Sequence, residues 1–118
     1  MKEDFTFLRA PLEYAFADKI LAITSELKRP YKHLVDAYSI SQLEVDIDEL
    51  KKYLAVILSL ENATRQNPGM QIDGYQYEIK PNKQFSHGYY FPLIQAGLNL
   101  NAGEMIQRMN QYMSAHLN

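Results

Sequence analysis

The sequence predicts an α+β fold, and three observations point to it. Apolar residues recur at helical spacing from Leu12 to Leu58, the period changes to two after Met70, and helical spacing returns from Met105 to Met113. The predicted arrangement is an N-terminal helical layer of about three helices, a small antiparallel sheet built on a β-hairpin, and a C-terminal helix. All of it is read as a single globular domain, residues 1–118, near the commonest domain size and long enough to bury a core without staples.

The first helix is expected over Pro11 to Lys28. Leu12, Phe16, Ile20, Ile23 and Leu27 form one face, and Tyr14, Ala17 and Leu21 widen it, which predicts packing on more than one side. Pro11 suits a first turn, Lys28 and Arg29 suit a last turn, and Pro30 blocks continuation. Pro30 can open a second helix over Tyr31 to Tyr38, burying Leu34, Val35 and Tyr38. Residues 39–45 read equally as strand, loop or helix. Two capping boxes compete, Ser41 with Glu44 and Asp46 with Glu49. The second is preferred because it sets Asp48 and Glu49 in a first turn, where acids are stabilised. The third helix is then Ile47 to Asn62, with Ile47, Leu50, Leu54, Ile57 and Leu58 inward and Asp48 paired with Lys52 outside.

Asn67-Pro68-Gly69 is a turn signal that ends the helical half. Tyr75, Tyr77 and Ile79 then alternate with Gln76, Glu78 and Lys80, and Pro81-Asn82-Lys83 is read as a hairpin connection to a strand over Gln84 to Phe91. Met70 and Ile72 have the opposite parity, so Asp73-Gly74 is either a bulge or a tight turn into a third short strand. Pro92 closes the strand, Leu93 to Leu100 is read as a short helical turn broken at Gly97, and Asn101 with Glu104 starts a last helix from Ala102 to His116.

Composition excludes several function classes. The chain has no cysteine, so disulfides, thiolate zinc sites and cysteine nucleophiles are ruled out, and a reducing, cytoplasmic setting is expected. The start Met1-Lys2-Glu3-Asp4-Phe5 lacks the pattern expected of a secretory signal, and the run Tyr53 to Leu58 is too short to span a bilayer. Net charge is −2, with the acidic excess in residues 31–63, and no basic block exists to hold a nucleic acid. The glycines never cluster into a phosphate loop or dinucleotide fingerprint, and no nucleophile elbow is present. No cofactor is implied.

Four groups of residues carry chemistry worth weighing. Six of the fourteen aromatic residues fall between Tyr75 and Phe91, which is either a core or a surface that anchors a partner. Glu44, Asp46, Asp48 and Glu49 put four carboxylates in six positions without matching a calcium loop, which suits either a solvated helix start or a docking patch for a basic protein. Met105, Met109 and Met113 share one stripe, read mainly as core. Among the histidines, His33 lies three residues from Asp36 without further metal ligands, and His116 sits at a terminus. His87, with Tyr89 and Lys83 nearby, is the one candidate acid–base group.

The leading expectation is a non-enzymatic protein-binding module, of the character of a small bacterial inhibitor or immunity protein that docks a basic protein. Its binding residues would be Glu44, Asp46, Asp48, Glu49, Tyr75, Tyr89 and Tyr90. The alternative is a small enzyme or ligand-binding domain with a pocket between sheet and C-terminal helix, using His87, Tyr89 and Lys83. A homodimer burying the aromatic face is a further reading.

Overall fold

The computed structural model describes residues 11–63, 75–86 and 101–118. Helix α1 spans Leu12–Thr24, strand β1 Arg29–Pro30, helix α2 Lys32–Ser41, helix α3 Ile47–Ala63, strand β2 Phe85–Ser86 and helix α4 Ala102–His116.

The interior is built around α1. Phe16, Ala17, Ile20, Leu21, Ile23 and Thr24 are all buried, more than one stripe of a helix, so α1 is covered from two sides. Helices α2 and α3 both pack against it, and α4 packs against α2. Tyr112 of α4 also reaches Phe16, ring centroids 5.6 Å apart. Met105, Met109 and Met113 are fully buried, so the methionine stripe is core as the sequence suggested. Burying side chains of this size contributes about 1.5–3 kcal/mol each.

The helix boundaries have local causes. Helix α1 stops at Thr24, four residues before the expected end, at a point where two consecutive hydroxyl side chains bond back to the helix carbonyls. Thr24 Oγ1 donates to Ile20 O at 2.9 Å and Ser25 Oγ to Ala22 O at 3.2 Å, while Ser25 itself turns extended. Arg29 and Pro30 are then free to form β1 instead of a helix end and a helix start. Helix α2 runs on to Ser41, whose Oγ donates to Tyr38 O, so the ambiguous stretch divides into helix to Ser41 and a loop to Asp46. Helix α4 starts as expected, with Asn101 Oδ1 accepting the Glu104 N–H at 2.9 Å.

The expected antiparallel hairpin sheet is corrected by the structure. Among the described residues there are four helices and one two-stranded sheet, and that sheet is parallel, Arg29 opposite Phe85 and Pro30 opposite Ser86. Tyr31 N–H extends the pairing by donating to Ser86 O at 2.9 Å. The turn at Pro81-Asn82 does form, with Lys83 N–H donating to Lys80 O at 3.0 Å, but its flanks do not zip together. The rest of the expected second strand, residues 87–91, lies outside the described residues, as do the bulge or third strand around Asp73-Gly74 and the short helical turn at 93–100.

The physical reason lies in where residues 75–80 send their backbone groups. Burial alternates along this segment as the period of two requires, with Ile79 fully inward. Its partners, however, are side-chain amides. Asn110 Oδ1 accepts the Ile79 N–H at 2.7 Å, and Asn110 Nδ2 donates to Ile79 O at 3.1 Å. Asn118 repeats the arrangement on Tyr77, both distances 3.0 Å. A primary amide carries the same donor and acceptor as a peptide group, so each asparagine satisfies one residue as a neighbouring strand would.

Replacing Asn110 with alanine should therefore leave both Ile79 groups unpaired beside the core and destabilise the fold by about 1–3 kcal/mol in urea unfolding. The same change at Asn118, which is exposed, should cost less than about 1 kcal/mol. Equal losses at the two positions would contradict this account.

Candidate functional site

Residues Gln42 to Asp46 join α2 to α3, and the site is built there. Asp46 caps α3, its Oδ1 accepting the Glu49 N–H at 3.2 Å, which is one half of the expected capping box. The returning half is absent, because Glu49 pairs instead with Lys52 at 3.3 Å. The Asp46 N–H is taken by Glu13 Oε2 of α1 at 3.0 Å. A carboxylate from the first turn of one helix thus completes the cap of another and fixes the loop between α2 and α3. The Asp48–Lys52 pairing read from the sequence is replaced by Glu49–Lys52, one residue closer.

That loop presents acids and one large apolar side chain. Glu44, Asp46 and Asp48 are exposed, and none has a cation within ion-pair distance among the described residues. Leu43, beside them in sequence, is 56% exposed. Elsewhere on α1 and α3, Tyr14 and Tyr53 meet edge to face at 5.5 Å, and Val56 and Leu60 are half open to solvent.

The aromatic candidates behave differently. Tyr75, Tyr77 and Phe85 are half-buried and pack against the core. The Tyr75 hydroxyl lies 2.8 Å from Thr24 Oγ1, and its ring stands against Tyr77 at 5.0 Å. Burial, and secondarily Tyr75, raises the Tyr77 pKa above its ordinary value. Tyr89, Tyr90 and His87 lie outside the described residues. Lys83, grouped with His87 in the enzymatic reading, is occupied structurally. Its ammonium donates to Ser25 O at 2.8 Å and to Leu27 O, just beyond the C-terminus of α1, and stands 5.3 Å from the Phe85 ring centre.

Two further features bear on chemistry. A groove of about 740 Å³ runs between Glu78, Ile79 and Pro81 and the outer side of α4 at Ile106, Asn110 and Ser114. It lies near where the sequence placed a pocket, and Glu78 is its one titratable lining group among the described residues. Between α1 and α2, Lys19 Nζ lies 3.0 Å from His33 Nδ1 and 3.3 Å from Asp36, which Lys32 also meets at 2.7 Å. An ammonium can only donate, so His33 Nδ1 is the acceptor and the neutral ring carries its proton on Nε2. Asp36 is thus engaged by two lysines, and among the described residues no group of three or more histidines and acids is arranged for a metal. Compared with known families, curated proteins and solved structures, the chain matches none.

Sequence reasoning missed Glu13 and Leu43. Leu43 carried a readable signal, an apolar residue between polar neighbours outside the period of either helix. Glu13 carried none, because its role depends on how α1 meets the start of α3.

Burial first, and then Lys19, hold the His33 pKa below its ordinary 6.5. The unfolded chain consequently binds a proton more readily, so this group's contribution to stability is intact above about pH 6.5 and is lost as pH falls from there through the lowered folded value. NMR titration should place the His33 pKa below 6.5 and find it raised in Lys19→Gln. An unchanged value in that variant would show that the contact with Lys19 is not maintained in solution.

Proposed function

We propose that this chain is a non-enzymatic protein-binding module that docks a basic protein on the α2–α3 loop and the first turn of α3. One observation carries the reading. Leu43 stands out at 56% exposure beside Glu44, Asp46 and Asp48, carboxylates that no lysine or arginine neutralises among the described residues. An apolar side chain followed in the chain by charges of one sign suits a protein interface, with the leucine desolvated on docking and the acids speeding encounter with a positive surface. The cap from Glu13 supports this by holding the loop in one shape before binding, which lowers the entropy lost on association.

The docking charges remain Glu44, Asp46, Asp48 and, with Lys52 beside it, Glu49. Tyr75 is a weaker anchor than the sequence suggested, since its hydroxyl is engaged with Thr24. The size and charge of the chain are those of a small inhibitor or immunity protein, and that is the class of partner interaction we favour. Of the three residues named for the enzymatic alternative only Lys83 is described, and it is tied to the carbonyl oxygens of Ser25 and Leu27.

The test uses Glu44→Lys with Asp48→Lys, because both side chains are exposed and neither makes a hydrogen bond that the fold needs. A partner captured from lysate should be a basic protein, and its association with the double variant should be slower by about tenfold or more at low salt, with a flatter salt dependence. Leu43→Ala should instead speed dissociation, weakening binding by about 1–2 kcal/mol. A captured partner whose rates are the same for all three proteins would overturn the proposal.

A further inference from the structure

At the opposite end of α1 the chain builds a cleft of the other sign. It has a volume of about 390 Å³ and lies between the residues following α1 and the turn at 80–84, lined by Lys28, Lys80, Lys83, Asn82 and Glu26 among others. That volume falls within the range of small-molecule sites, about 300–1,000 Å³. Among the described residues, three ammonium groups share this space with a single carboxylate, and that carboxylate is poorly placed. Glu26 is 86% exposed and lies 3.9 Å from Lys80, beyond hydrogen-bond reach. Arg29, next to Lys28 in sequence, adds a fourth positive charge outside the lining, and its buried Nε has no hydrogen-bond partner among the described residues. Lys28, Arg29 and Lys83 have no carboxylate within ion-pair distance among the described residues.

We propose that this cleft binds a small oxyanion-bearing ligand, a phosphate ester or a comparable polyanion, held by Lys28 and Lys80 with Lys83 as the fixed positive floor. The division of labour follows from exposure. Lys28 and Lys80 are exposed and free to move onto a ligand, while Lys83 is held by Ser25 O and Leu27 O. Asn82 supplies a neutral donor at the rim. Burial, and after it Arg29, keep the Lys83 pKa below its ordinary 10.5, a strain that a bound anion would relieve. The site belongs to elements separate from the acidic loop and does not rest on the docking proposal.

The experiment is an NMR titration of the full, isotopically labelled chain with inorganic phosphate. Saturable shifts confined to residues 25–29 and 80–84 are expected, and Lys28→Gln with Lys80→Gln should weaken them about tenfold or more. Neither lysine contributes to the core, so the double variant should unfold at the same urea concentration as the parent. Glucose 6-phosphate is expected to bind at least as tightly as phosphate. Shifts spread over lysines across the surface, or unaffected by the double variant, would mean an adventitious ion only and would overturn the proposal. Binding of a short single-stranded oligonucleotide far more tightly than of glucose 6-phosphate would overturn it too, in favour of a nucleic-acid surface.

Discussion

Helix α1 has to be covered on two sides, and most of the molecule follows from that constraint. A surface helix needs one apolar stripe, but α1 buries Phe16, Ala17, Ile20, Leu21, Ile23 and Thr24 around much of its circumference. Helix α3 supplies one cover and α2 another, with α4 reaching Phe16 through Tyr112. Because α1 is central, its two ends become the places where other segments must be fastened. At the N-terminal end Glu13 ties down the start of α3 through the Asp46 N–H. At the C-terminal end Lys83 ties the 80–84 turn to Ser25 O and Leu27 O. Neither fastening is local in sequence, and each fixes the backbone of one of the two charged surfaces.

The elements legible in the sequence are those whose signal is local. The face of α3, the Asn101 cap of α4 and the methionine stripe each depend on spacing or on a residue three positions away, and all three stand in the structure as read. The sheet was misread because the pattern of Tyr75 to Lys80 reports burial on one face, not the identity of the hydrogen-bond partner. Period two says that Ile79 points inward. It is silent on whether the Ile79 peptide meets a strand or the amide of Asn110, thirty-one positions away. Strand β1 was illegible for a related reason. Pro30 has no N–H to give, so it reads as a break, yet it tolerates a two-residue edge where little pairing is asked of it.

The candidate surfaces were legible in part. The run Glu44 to Glu49 is visible as charge, and its capping role is visible at Asp46. Its geometry is not, since the residue that completes the cap is Glu13, thirty-three positions away in the first turn of α1. The basic cleft left no trace in the composition, because Lys28 and Arg29 looked like an ordinary helix end and Lys80 and Lys83 summed to nothing with Asp73 and Glu78. Only folding sets the two pairs of cations together. The aromatic cluster shows the converse, a strong local signal whose described members, Tyr75, Tyr77 and Phe85, are spent largely on packing.

A net charge of −2 therefore conceals a separation of charge along one helix. Glu13 and Ser25 are twelve residues apart in and just beyond α1, about 18 Å at the helical rise. Part of this polarity serves α1 itself, since acids at the start and cations at the end complement the peptide dipoles by about 0.3–1 kcal/mol each. That accounts for Glu13 and Lys83, and Asp48 plays the same part at the start of α3. It does not account for Glu44, Lys28 or Lys80, which are exposed and bond to no helix terminus. These residues add charge to each end beyond what the fold consumes. Like charges gathered with few counter-ions set up a local potential that attracts a ligand of opposite sign. On the docking and anion-binding proposals the two ends take opposite classes of ligand, and their separation exceeds the screening length of about 8 Å at physiological salt, so on those proposals occupation of one should leave the electrostatics of the other nearly unchanged.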